Sequence, residues 1–63
     1  MSPIVAARRA QELSIRALAT KADLSPVTIY HAEHGLHVPA RKTRRQLAVA
    51  LGKTEAELFG STA

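Results

Sequence analysis

Three histidines, His31, His34 and His37, recur at every third position, which raises the question of a metal site. Gly35 interrupts any helix that would carry them, there are no cysteines, and nothing nearby supplies the second shell that orients imidazole ligands. They read instead as surface residues, His31 on an outward helix face and the other two near a helix end, and no metal is expected. Nor does the chain pair a nucleophile with an obvious base and an orienting acid, and it has no glycine-rich phosphate loop. With 63 residues there is little volume for a substrate pocket, so neither catalysis nor a cofactor is expected. What remains is charge. Nine Lys and Arg stand against five Asp and Glu, a net +4, and the distribution says more than the total. Arg41, Lys42, Arg44 and Arg45 fall within five positions, whereas Glu55 and Glu57 occupy a C-terminal stretch whose one base is Lys53. One end of the molecule is positive, the footprint of a polyanion partner.

The elements that must position these groups are short. Residues 1–63 are expected to form a single domain, because two cores would each be too small to offset their conformational entropy. A core of this size contributes only about 3–5 kcal/mol net. No apolar run reaches the roughly 20 residues that span a bilayer, so no membrane partner is expected. The start Met1-Ser2-Pro3-Ile4 lacks the order of a signal peptide, and a cytoplasmic location is the expectation. Caps and breakers divide the chain into five helical segments. Ser2-Pro3 opens the first, with Ile4, Arg8 and Glu12 on one stripe; Ser14 caps the second, Ile15 to Ala22. Ser25-Pro26 opens the third, which runs to about Glu33 and stops before Gly35. After a loop from Leu36 to Pro39, a fourth runs from near Lys42 to Leu51, with Leu47, Ala50 and Leu51 buried and Gly52 at its end. Thr54 and Glu57 form a capping box for a last turn through Leu58 and Phe59. No segment alternates as a strand would, and alanine-rich short helices suit compact orthogonal packing.

Only Ala22, Asp23 and Leu24 separate the second and third helices before the Ser25 cap, which enforces a sharp angle. A connection this short braces one helix across another in a DNA-binding helix-turn-helix. Over the unit at about residues 15–34, Leu18, Ala19, Ala22, Leu24, Ile29 and Ala32 are the inward positions. Ala19 must be small where the helices nearly touch, and Leu18, Leu24 and Ile29 fill the wedge between them. Here the sequence resembles the lambda repressor/Cro-like (XRE) helix-turn-helix family, from Ile4 to Phe59, through "LSIRALATKADLSPVTIYHAEHG", Pro39 and Thr43 before "LAVALG", and the terminal "TEAELF". The resemblance implies an all-α, compact five-helix lambda repressor-like DNA-binding domain. It also implies that Arg8 pairs with Glu33 as a structural ion pair. Two departures stand out: Asp23 occupies a position usually held by Gly, and Pro26 and Val27 stand where Gln often reads adenine.

With the third helix in the major groove of double-stranded DNA, Pro26, Val27, Thr28 and His31 are the expected base-reading residues. Val27 suits a thymine methyl, Thr28 a base edge or phosphate, and His31 a guanine. Expected phosphate contacts are Ser14 and Arg16 at the start of the second helix, the Tyr30 hydroxyl, and Arg41, Lys42 and Arg44 before and within the fourth helix, with Thr20 and Lys21 as weaker candidates. Leu36, Leu58 and Phe59 are candidate homodimer contacts, although Leu58 and Phe59 could equally close the monomer core. The function expected is a sequence-specific transcriptional regulator, repressor or Cro-like, that acts by occupying its operator. The competing reading is a protein-interaction module of the same fold, antitoxin-like or docking another regulator through Leu58-Phe59 or Leu36-Val38, with only weak DNA binding.

Overall fold

The computed structural model describes residues 2–36 and 38–60. Five helices follow one another there: α1 (Pro3–Ala10), α2 (Ile15–Ala22), α3 (Pro26–His34), α4 (Arg41–Leu51) and α5 (Glu55–Phe59). Four of the five start on a side-chain cap. Ser2, Ser14 and Ser25 accept from the backbone N–H three residues on, and Thr54 and Glu57 satisfy one another's backbone donors in a capping box. Proline follows the cap in α1 and α3, where its missing N–H costs nothing. Among the described residues no helix is long and apolar enough to cross a membrane.

The ends are set as firmly as the starts. Asp23 adopts the left-handed conformation (φ 59°, ψ 46°), and Leu24 N–H then donates back to the Ala19 carbonyl at 2.8 Å. This closes α2 and swings the chain into α3, with Leu24 packed against the core. Ala22 belongs to α2 as its last residue, so the connection between the two helices is Asp23, Leu24 and Ser25. Gly52 ends α4 in the same left-handed way. The stripe expected to continue from Ile4 and Arg8 to Glu12 does not form: α1 stops at Ala10, and Glu12 is exposed in a left-handed turn (φ 56°). Leu13 N–H and Glu12 N–H bond back to the Arg8 and Arg9 carbonyls and end the helix there.

The core is Ile4, Ala7, Leu18, Ala19, Ala22, Ile29, Leu47, Ala48, Ala50, Leu51 and Leu58, with Leu13, Ile15, Leu24, Ala32 and Phe59 packed around it. Every helix contributes, and α2 sits between α3 and α4. Alanines at 19, 22, 48 and 50 let these helices approach closely while the branched side chains fill the gaps. Two glutamines tie distant elements together. Gln11 Nε2 donates to the Leu51 carbonyl at 2.7 Å, and Gln46 Nε2 donates to the Ala22 carbonyl at 3.2 Å. Each satisfies a carbonyl that a helix end would otherwise leave without an intrahelical donor.

Candidate nucleic-acid interface

The helix α3 is fixed from behind. Ile29 is fully buried against α2, and Glu33 is drawn under the surface by Arg8 of α1. Arg8 Nε donates to Glu33 Oε2, and its Nη1 donates to the Leu13 carbonyl at 2.8 Å. The side chains of the pair are 12% and 3% exposed, so Arg8 is a strut between α1 and α3 and is not presented to a partner. No buried side-chain polar atom is left without a hydrogen bond among the described residues.

With Ile29, Ala32 and Glu33 facing inward, the opposite face of α3 carries Pro26, Val27, Tyr30 and His34, with His31 half-buried at its edge. Of the expected base-reading residues, Pro26 and Val27 stand fully outward, Val27 with 61% of its surface exposed. Thr28 is half-buried, and its Oγ1 lies 2.8 Å from Ser25 Oγ, the same oxygen that accepts the Thr28 N–H. The two hydroxyls bond each other within the helix cap. Tyr30, expected at a phosphate, lies on the same outward stripe as Val27, with its ring against His34 (centroids 4.1 Å apart, planes at 42°) and edge-on to His31 at 6.2 Å. His34, expected only near a helix end, stands on this same outward face. Counting turns from Ile29 would have placed it beside Tyr30, because positions 27, 30 and 34 recur at helical spacing.

The expected phosphate-binding residues divide into two groups. Ser14 is exposed at the start of α2 with its hydroxyl accepting from Ala17 N–H, and Arg16, Thr20 and Lys21 are exposed along that helix. Arg41 and Lys42 are exposed in the first turn of α4. That turn has no side-chain cap at Ala40 and no acidic residue, so backbone N–H groups and two cations share the positive end of the helix dipole. Arg44 differs from its neighbours: Nη1 donates to the Pro39 carbonyl at 2.8 Å and Nε lies 3.7 Å from Glu55 Oε1. It ties the α3–α4 loop and α5 to α4, with 29% of its side chain still exposed.

Of the three candidate dimer contacts, Leu58 is 4% exposed and closes the monomer core, and Phe59 packs against that core. Leu36 is exposed in the loop after α3. Leu58 is therefore already covered in the monomer, the consequence of α5 packing on both α1 and α4. Among the described residues no group of three or more His, Asp or Glu side chains is arranged to hold a metal ion, and His37 lies outside those residues.

Two short helices crossed through a three-residue turn, the second locked from behind and open in front, define a helix-turn-helix DNA-binding domain. The family model described as Helix-turn-helix matches residues 4–58, and the chain belongs to that family, in its lambda repressor-like (XRE) form. No curated protein and no solved structure matches the chain.

Proposed function

We propose that this protein is a sequence-specific transcriptional regulator that acts by occupying its operator, as a repressor or Cro-like protein, in the cytoplasm and as a homodimer on paired half-sites. The observation that carries this reading is the start of α4. An uncapped first turn that gathers Arg41 and Lys42 repels its own cations, an arrangement unfavourable in isolation and favourable against a phosphate. It begins at Arg41, seven residues after α3 ends at His34, so a backbone clamp and a base-reading helix are close in the chain. Arg16 and the α2 start would contact a second stretch of backbone, and Pro26, Val27 and His31 would meet base edges.

Exposed Leu36 and Val38 in the α3–α4 loop favour a second reading, docking of another protein on the same fold. Selection of bound sequences from a random duplex library decides between them. A recovered motif with paired half-sites, bound less tightly as salt rises, supports the regulator; no enrichment, with weak and uniformly salt-sensitive binding, favours the docking module.

A further inference from the structure

The outward face of α3 is unusual in what it lacks. Pro26, Val27, Thr28, Tyr30, His31 and His34 include no Lys, Arg, Asn, Gln, Asp or Glu. That face therefore has no guanidinium or ammonium for guanine, no carboxamide for adenine and no carboxylate for cytosine, the groups that make the strongest polar contacts to base edges, and the one carboxylate of α3, Glu33, is buried against Arg8. The hydroxyl nearest its tip, that of Thr28, is bonded to Ser25 Oγ. What the tip offers a groove is apolar: the Pro26 ring, the Val27 isopropyl group at 61% exposure and the Thr28 methyl. Tyr30, next along the same stripe, is turned against His34.

In the major groove the one apolar feature among the base edges is the C5-methyl group of thymine. Cytosine presents a bare C5–H at the same place. We infer that α3 reads methyl groups: Val27, flanked by Pro26 and Thr28, packs on the C5-methyl of a thymine in each half-site and is the residue that sets specificity there. The inference rests on the DNA-binding reading above and gives it a chemical content. Burial of one methyl-sized group changes affinity about fourfold, equivalent to about 0.8 kcal/mol. By the same chemistry, 5-methylcytosine at that position is preferred over cytosine.

The test uses the most enriched duplex from the selection, with each thymine replaced singly by deoxyuridine. That change deletes a methyl and leaves pairing and every polar group in place. The expected result is one position per half-site where affinity falls about fourfold, with the loss absent in Val27→Ala. At that position, exchange of the T·A pair for C·G should weaken binding, and 5-methylcytosine in place of that cytosine should recover about fourfold. Val27 is exposed and lies in the first turn, so alanine there leaves the core untouched; a circular dichroism melt of the variant verifies this. If a motif is recovered but no uridine lowers affinity by as much as twofold, or if Val27→Ala keeps the wild-type uridine profile, the methyl reading is wrong while the DNA-binding reading stands. If no motif is recovered, both are wrong.

Discussion

Arg8 shows how a charged side chain in a small basic protein can be spent on structure. Its guanidinium spans Glu33 on α3 and the Leu13 carbonyl after α1, both largely out of water. Breaking a buried pair leaves the other charge uncompensated and costs about 3–5 kcal/mol, whereas replacing both partners by apolar groups is often near neutral. Set against a core contribution of similar size, Arg8→Met is expected to unfold the domain in water or leave it marginal. Arg8→Met with Glu33→Leu should recover most of the loss in a urea titration. A double variant as unstable as the single one would show that the Leu13 contact, not the pair, carries the stabilisation. The comparison also separates structure from binding, since a folded double variant should keep its DNA affinity.

At the scale of the helix ends, two residues are open to test. Asp23 holds a left-handed conformation without being glycine, at a steric cost that Asp tolerates better than most residues. Relief of a left-handed strain of about 1–2 kcal/mol outweighs the extra chain entropy that glycine loses on folding, about 0.4–1 kcal/mol, so Asp23→Gly is expected to stabilise the domain, read as a rise of a few degrees in Tm. Glu57 accepts from Thr54 in the α5 capping box, and that bonding, with Lys53 nearby, holds its carboxyl below the usual carboxylate range. A depressed native pKa means that the contribution is complete above the ordinary carboxylate pKa and is lost as pH falls through the lowered value. Glu57→Gln should therefore show less loss of stability than wild type in acid melts below about pH 4, and Thr54→Ala should remove the same difference. These ends are also where the sequence was most and least legible. Caps at Ser2, Ser14, Ser25 and Thr54, the glycine stops and the inward stripe of Leu18, Ile29 and Leu47 follow from local chemistry, and so did the five helices. Glu12 did not, because the early stop of α1 has no glycine to announce it. The Gln11 and Gln46 clamps did not either, since they join residues 40 and 24 apart and leave no periodic trace. At the candidate interface, helical spacing placed Val27 outward, but the Ser25–Thr28 hydroxyl bond and the Tyr30–His34 contact depend on rotamers that spacing does not specify.

For the molecule as a whole, the run Arg41, Lys42, Arg44 and Arg45 looks in the sequence like four equivalent cations, and in the fold it is not. Arg41, Lys42 and Arg45 are exposed, while Arg44 is bonded to Pro39 and lies near Glu55. Only cations that neutralise phosphates release counterions, and each phosphate neutralised adds about 0.9 to the slope of log K against log salt. Arg41→Ala and Lys42→Ala should each lower that slope by about 1 per protomer, about 2 for a dimer on paired half-sites, and weaken binding to all sequences alike. Arg44→Ala should leave the slope nearly unchanged while loosening the α3–α4 loop and α5, so its effect appears in the melting temperature instead. His31→Ala should do neither and should relax preference at particular base pairs. A salt titration of wild type and these four variants, on a selected duplex and on a scrambled one, measures every term. A slope that falls as much for Arg44→Ala as for Arg41→Ala would mean that the inward bonds of Arg44 open on DNA, and that the positive end of the molecule acts as a diffuse field instead of a fixed clamp.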